Sequence, residues 1–182
     1  MSTTAASSES TLRQVADVLE IQQLFYKYVI AVDSRQPELL LDCFTDDARI
    51  QLAGTVFESP KDLVSNTGNV LEGFDATQHD ISAPLVQVEG DVAFSRCYFT
   101  AQHVRNSLAP DAFLLVGGTY DDELVRTQDG WRITKRLGTP SWMQGNPEVL
   151  NLRGMLSIPG SVGALDRTAA HACPSWLLRS SR

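Results

Sequence analysis

The hydrophobic period of the sequence changes once, near Gly73, and this change constrains the fold more than any other feature. Before Gly73, apolar residues recur every three or four positions, which is typical of amphipathic helices. After it, apolar and polar residues alternate in runs bounded by turns, which is typical of antiparallel strands. Helices followed by a run of strands predict an α+β fold, with the helices packed on one face of a strongly curved, mostly antiparallel sheet.

Three helices are predicted in the first part of the chain. The first spans Leu12–Val32, where apolar positions keep a helical spacing throughout. Pro37 ends it, because the residue before a proline avoids the helical region. A short second helix is predicted over Glu38–Cys43. A third begins with an N-cap serine and spans Ser59–Leu71, and the strand Ala48–Leu52 lies between the second and third helices.

Four more strands are predicted in the second part. Gln78–Val88 alternates, but its apolar parity changes at Pro84, which indicates a β-bulge. Val92–Val104 is a long strand, and Phe113–Arg126 pairs with Trp131–Leu137 as a hairpin. One face of the long strand is predicted to carry Val92, Phe94, Arg96, Tyr98 and Thr100.

The two ends of the chain fit neither pattern. Met1–Thr11 lacks the charged start and apolar stretch of a signal peptide, so we interpret it as a disordered lead-in and expect a cytoplasmic protein. Proline and glycine interrupt residues 146–182. This extension is either partly disordered or covers a pocket mouth or a neighbouring subunit. The predicted barrel domain therefore spans residues 12–145.

Composition excludes several classes of protein. The 182 residues suffice for one domain with a full core, and 15 Lys+Arg against 22 Asp+Glu give a net charge of −7. That balance argues against a general nucleic-acid binder, and no apolar run is long enough to span a membrane. Three widely spaced cysteines exclude a disulfide scaffold, and no histidine or carboxylate motif has metal-ligand spacing. Neither a metal nor a cofactor is therefore expected, and acid–base chemistry remains.

Two residues are the main candidates for that chemistry. Asp33 follows an apolar run at the end of the first helix, where the helix dipole disfavours a carboxylate, so its position needs a reason. His79 shares its strand parity with Ile81 and is expected to point inward. A carboxylate that reached the imidazole would make it a competent base. Alternatively, Asp33 solvates the surface or pairs with Arg35, and His79 is a core residue.

Other aromatic and cationic residues have weaker signals. Tyr28 lies on the first helix, where its phenol either donates a hydrogen bond to a leaving oxygen or belongs to the core. Arg96 is expected to pair with an acid, and Arg136 to lie on a solvated strand face. The predicted substrate-binding residues are Phe94, Tyr98, Arg126, Trp131 and Trp142. For Arg126 a solvated face, and for the two tryptophans the core, are the alternatives.

The segment Ile21–Gln36, IQQLFYKYVIAVDSRQ, resembles the first helix of SnoaL-like proteins in the nuclear transport factor 2 superfamily. The resemblance continues through His79 and Gly117–Gly138 and covers about residues 12–145. It is strongest to hexachlorocyclohexane dehydrochlorinases, which have a similar VD-x-RQ stretch. The family fold is a cone-shaped α+β barrel around a deep pocket, in agreement with the predicted order of elements.

The resemblance also implies a mechanism. In the related dehydrochlorinase, scytalone dehydratase and bile-acid 7α-dehydratase, an aspartate and a histidine at the positions of Asp33 and His79 form a dyad. It implies that His79 abstracts a carbon-bound proton while Asp33 orients and charges the ring. Tyr28 matches a functional tyrosine of the bile-acid enzyme and a lysine of the dehydrochlorinase, which favours an oxygen leaving group over chloride.

We therefore expect a cofactor-independent lyase that acts on a small hydrophobic substrate, cyclic or aromatic, as in aromatic compound catabolism. Loss of water is the expected reaction, and loss of halide or of a small aldehyde are variants. An isomerase or cyclase that uses the same proton abstraction, and a binding module without activity, remain alternatives. The family resemblance also implies a homodimer or homotrimer, with neither nucleic acid nor membrane as a partner.

Overall fold

A long helix opens the chain and four long strands follow the second helix, as the sequence predicts. The computed structural model describes residues 2–151 and 173–177. These residues form α1 (Ser2–Asp33), β1 (Phe44–Leu52), β2 (Thr55–Phe57), α2 (Pro60–Leu71), β3 (Ala76–Glu89), β4 (Val92–Val104), β5 (Phe113–Thr127) and β6 (Gly130–Gly145). Short 3-10 helices lie at Pro37–Cys43, Asn106–Leu108 and Pro147–Leu150. No helix among the described residues has the length and apolar character needed to cross a membrane.

The six strands form one open, mixed sheet in the order β2-β1-β6-β5-β4-β3. All neighbours are antiparallel except β1 and β6, which run parallel. Strands β3 to β6 form a continuous antiparallel meander, and its last strand, β6, lies beside β1 and runs in the same direction. This arrangement fits the cone-shaped α+β fold, so the predicted fold class is confirmed.

Helix α1 packs on one side of the sheet, which we call the inner face. Ile21, Phe25 and Ala31 on α1 are completely buried, and they follow the predicted helical spacing. The helix begins at Ser2 rather than at the predicted Leu12. Residues 8–16 are exposed and carry no periodic burial signal. Extending an existing helix costs less than nucleating one, so such a segment can be helical without a core-facing stripe.

The strand boundaries differ from prediction where local signals were weak. β1 begins at Phe44 rather than Ala48, and β2 was missed because it has only three residues. β6 continues to Gly145 rather than ending at Leu137. Pro140 interrupts its alternation, and the β5–β6 register shifts at that point, so the sequence pattern breaks while the strand continues.

The bulge predicted at Pro84 is confirmed, because the β3–β4 register shifts between Ser82 and Leu85. Phe94, Arg96 and Tyr98 share one face of β4, as predicted, and that face is the outer one, opposite α1. The buried residues on β4 include Ala93, Ser95, Cys97, Phe99 and Ala101. Both parities of this strand contain apolar residues, so alternation alone cannot select the inner one.

Candidate active site

Asp33 and His79 meet at the end of α1. Asp33 is the last residue of the helix, and His79 lies on the inner face of β3. Asp33 Oδ1 is 2.7 Å from His79 Nδ1, and Asp33 Oδ2 accepts a 2.6 Å hydrogen bond from the backbone N–H of His79. Their side chains are only 24% and 12% exposed, respectively. The structure therefore brings together the two residues that the sequence singled out.

Thr77 is a third partner of this pair. Its hydroxyl donates a 2.9 Å hydrogen bond to Asp33 Oδ1. Burial raises the pKa of Asp33, but the hydrogen bonds from the His79 ring, the His79 backbone and Thr77 outweigh it and leave that pKa below its ordinary value. Asp33 is therefore a carboxylate at neutral pH, and it can orient the imidazole and stabilise its charged form.

A second histidine lies against the first, and the sequence analysis missed it. The rings of His103 and His79 meet edge to face, with centroids 5.5 Å apart. Burial and the nearby His79 lower the pKa of His103 to about 4, so this ring is neutral at physiological pH. Its buried Nδ1 has no hydrogen-bond partner among the described residues. The missed signal was strand parity, because His103 shares that of Phe99 and Ala101.

Tyr28 lies in a different part of the inner face, around a buried ion pair. Arg136 donates two 2.8 Å hydrogen bonds to Asp122, and both side chains are fully buried. The guanidinium lies 4.3 Å from the Tyr28 ring and 4.5 Å from the Tyr120 ring, with Phe25 and Phe44 further out. The prediction of a solvated strand face for Arg136 is therefore wrong.

The residues Arg136, Asp122, Tyr28, Tyr120, Phe25 and Phe44 form an aromatic cluster around a buried cation. Arg136 Nη1 finds no hydrogen-bond partner within the described part of the chain. Burial disfavours the charged guanidinium, but the Asp122 carboxylate outweighs this effect and raises the pKa of Arg136. Burial also raises the pKa of Tyr28, so its phenol keeps its proton. The cluster thus offers hydrogen-bond donors in a dry, aromatic setting.

Three predicted substrate-binding residues lie on the outer face of the sheet instead. Phe94 stacks on Trp176 of the C-terminal extension, with ring centroids 6.4 Å apart. Tyr98 is 60% exposed, and Trp142 covers Gly117, where a Cβ atom would collide with the indole. Their position opposite α1 removes them from the candidate site. Arg96 makes the expected ion pair, with Asp121, on the same face.

The other two lie toward the far end of α1. Arg126 pairs with Asp17 at 2.6 Å and lies over the ring of Trp131, and the Trp131 indole N–H also donates to Asp17. Asp17 and Asp33 are about 24 Å apart along the helix at 1.5 Å per residue. Arg126 and Trp131 therefore fasten α1 to the sheet far from the dyad, and a cleft of about 690 Å³ beside Arg126 is equally remote.

Other kinds of site have little support in residues 2–151 and 173–177. No group of three or more His, Cys, Asp or Glu residues there is arranged to hold a metal ion. Cys43 and Cys97 are buried, and burial raises their thiol pKa values to about 11 and about 12, so neither is an activated nucleophile. The dyad and its surroundings are thus the candidate active site.

A curved open sheet packed on one long helix, with an Asp–His pair at the helix end, defines a protein of the nuclear transport factor 2-like superfamily. The SnoaL-like domain model matches residues 13–137, and the chain belongs to this family. It is 36% identical over 134 residues to the protein Rv2910c of Mycobacterium tuberculosis, covering 71% of this chain and 88% of that one.

Solved structures agree with this assignment. The protein Kfla4162 of Kribbella flavida has a TM-score of 0.70 and 27% identity, over 76% of this chain and 99% of that one. A hexachlorocyclohexane dehydrochlorinase, LinA-type3 of Novosphingobium barchaimii, has a TM-score of 0.66 and 20% identity, over 75% and 94% of the two chains. The second similarity establishes a shared fold, and the recognition made from the sequence is confirmed.

Proposed function

We propose that the protein is a cofactor-independent lyase in which His79 removes a carbon-bound proton and a neighbouring group leaves, with water as the expected product. The observation that carries the proposal is the 2.7 Å contact between His79 Nδ1 and Asp33 Oδ1. Because the carboxylate occupies Nδ1, Nε2 is the atom that accepts the proton. General base catalysis of this kind contributes about 10²–10⁴-fold to a rate.

Two bonds of the substrate break in the elimination. The C–H bond breaks, its proton goes to His79 Nε2, and its electron pair forms the new double bond. The bond from the adjacent carbon to oxygen breaks with its electron pair going to the oxygen, and the departing hydroxyl takes up a proton from solvent and leaves as water. Asp33 stays ionised and stabilises the imidazolium, which later loses its proton to solvent.

The aromatic cluster supports an oxygen leaving group. Tyr28 keeps its phenolic proton, and Arg136 Nη1 is a donor without a partner in the described residues. On β5, two strands from His79, the residue aligned with His79 is Val116, and Tyr120 is four residues further along, so the backbones of His79 and Tyr120 are about 16 Å apart. Phe99, on the strand between them, stacks on Tyr120 at 4.5 Å. Tyr28 is five residues before Asp33 on α1, about 7.5 Å away along the helix axis. We therefore expect a cyclic or aromatic substrate to place its proton near His79 and its oxygen toward Tyr28.

The remaining features of the proposal come from the family. SnoaL-like proteins bind small hydrophobic substrates, and one structural neighbour is by name a dehydrochlorinase. Exposed Tyr98 and Trp142 on the outer face support association as a homodimer or homotrimer. A role in aromatic compound catabolism, a cytoplasmic location, and the division into residues 1–11, 12–145 and 146–182 stay predictions.

The test uses His79→Ala and Asp33→Asn, with Asp80→Asn as the matched control. Asp80 is the neighbour of His79 on β3 but is exposed, on the opposite face. Cyclic β-hydroxy ketones and hexachlorocyclohexane serve as probes, and mass spectrometry follows loss of water or of hydrogen chloride. We expect turnover to fall at least about 10²-fold in both dyad variants and to stay at the wild-type level in Asp80→Asn.

Three outcomes would contradict the proposal. Near-normal turnover by folded His79→Ala excludes His79 as the base. A product of unchanged mass in ordinary water, which gains deuterium when the reaction is run in heavy water, identifies an isomerase or cyclase with the same proton abstraction. Tight binding of a probe without conversion, preserved in both dyad variants, identifies a binding module instead.

A further inference from the structure

Strand β3 directs three hydrogen-bond donors at a single carboxylate. Thr77 Oγ1 and His79 Nδ1 both contact Asp33 Oδ1, at 2.9 Å and 2.7 Å. The backbone N–H of His79 donates to Asp33 Oδ2 at 2.6 Å. Thr77 and His79 are two residues apart, so their side chains lie on the same face of the strand. The carboxylate is therefore held at both oxygens by one rigid element.

The three hydrogen bonds to Asp33 constrain its carboxylate in different ways. The backbone N–H fixes where Oδ2 lies, but a carboxylate held at one oxygen can still rotate, because the terminal torsion of aspartate has a broad minimum. The Thr77 hydroxyl fixes Oδ1 independently of the imidazole. Oδ1 therefore stays in place when the His79 ring gains or loses a proton. If the only hydrogen bond to Oδ1 came from the imidazole, Oδ1 could move when the ring changed its protonation state.

We propose that Thr77 is a positioning residue for the Asp33–His79 pair, whose hydroxyl holds Oδ1 in line with Nδ1 throughout the reaction. This inference rests on the proposed function, because it assigns Thr77 a part in proton abstraction by His79. Thr77 itself need not touch the substrate. No motif in the sequence marks it, since a threonine on an inward strand position is ordinary.

Two further polar side chains near this carboxylate leave it to the donors of β3. Within residues 2–151 and 173–177, His103 on β4 contacts the ring of His79 and is neutral at physiological pH. Arg35, just beyond the end of α1, donates to the backbone carbonyls of Leu71 and Phe74 instead. Loss of the Thr77 hydroxyl is therefore expected to raise the pKa of Asp33, because a donor to the charged form is removed.

The test compares Thr77→Val, which keeps the shape but removes the donor, with Thr77→Ser, which keeps the donor. The sequence has only three histidines, so the Nδ1 proton of His79 can be assigned by its disappearance in His79→Ala. In Thr77→Val we expect this downfield proton signal to shift upfield and exchange faster with water. We expect the ¹³C-detected pKa of Asp33 to rise, and Thr77→Ser to resemble the wild type in both measurements.

The kinetic arm uses the probe that the wild type converts. In Thr77→Val we expect kcat to fall roughly tenfold with KM unchanged, which is the lower end of the loss seen when a partner that orients a functional side chain is removed. In Thr77→Ser we expect kcat to return to the wild-type value. A wild-type spectrum and kcat in Thr77→Val overturn the inference. Equal losses in Thr77→Ser and Thr77→Val also overturn it, because Thr77→Ser keeps the hydroxyl and the loss then does not depend on the donor.

The two proposals fail separately. If His79→Ala keeps its activity, the proposed function is wrong, whereas the NMR comparison still decides whether Thr77 positions the carboxylate. If His79→Ala is inactive but Thr77→Val behaves as wild type in both arms, His79 remains the base and the positioning role is wrong.

Discussion

Replacing Asp122 by asparagine is expected to destabilise the fold severely, because it leaves a buried cation without its counter-charge. Arg136 and Asp122 both have fully buried side chains and are joined by two 2.8 Å hydrogen bonds. The amide in the Asp122→Asn variant would keep the side-chain shape and one acceptor oxygen. It would lose the charge and one of the two bonds, while Arg136 stays surrounded by aromatic rings.

The magnitude follows from this geometry. Removing one partner of a buried ion pair costs about 3–5 kcal/mol of unfolding free energy, because the other charge remains buried and uncompensated. For a chain of this size, each kcal/mol corresponds to about 2–4 °C in Tm, so a decrease of about 6–20 °C is expected. The neighbouring Asp121 gives a matched comparison. It pairs with Arg96 on the outer face, where both side chains are about one-fifth exposed.

Urea unfolding followed by far-ultraviolet circular dichroism measures both variants. We expect Asp121→Asn to cost about 1 kcal/mol or less, as solvent-accessible pairs do, and Asp122→Asn to cost several times more. The double variant Asp122→Leu/Arg136→Met is expected to recover much of the loss, since an apolar pair leaves no buried charge. If Asp122→Asn unfolds at the same urea concentration as Asp121→Asn, Arg136 is not held in a dry site and the reasoning fails.

Three further measurements test the site. The folded-state pKa of Asp33 lies below its ordinary value of 3.8, so its contribution to stability is fully present above that value and is lost as the pH falls through the folded pKa. Between about pH 5 and about pH 2, the wild type should therefore lose more unfolding free energy than Asp33→Asn does. Equal losses in the two proteins would contradict this. An NMR titration should give His103 a midpoint of about 4, whereas a midpoint near that of a free imidazole would show that the ring is solvated. Iodoacetamide at mildly alkaline pH should modify exposed Cys173 and spare Cys43 and Cys97; rapid labelling of the native protein at either buried thiol would refute their assigned burial.

The sequence predicts those features that repeat along the chain or that the family shares. The α1 core face, the order of strands and the bulge at Pro84 each leave a pattern over several residues. Asp33 and His79 were predicted as site residues from their positions at a helix end and on an inward strand face, together with the resemblance to SnoaL-like proteins. On β4, alternation predicts which residues share a face, but Phe94 and Phe99 lie on opposite parities, so only the neighbouring strands decide which face is inner. The burial of Arg136 depends on Asp122 directly opposite it on β5, so it follows from the register of the hairpin and not from the alternation of either strand alone.

The position of Asp33, unexplained by the sequence alone, has a physical reason in the structure. The negative end of the α1 dipole disfavours a carboxylate by about 0.3–1 kcal/mol, but three hydrogen bonds from β3 offset that cost. The same dipole end favours a cation nearby, to a similar extent. In the proposed reaction His79 becomes positively charged as it accepts the proton, so both the helix end and Asp33 stabilise the state that forms. An acid at the end of a helix is thus unfavourable for the resting carboxylate and favourable for the imidazolium beside it.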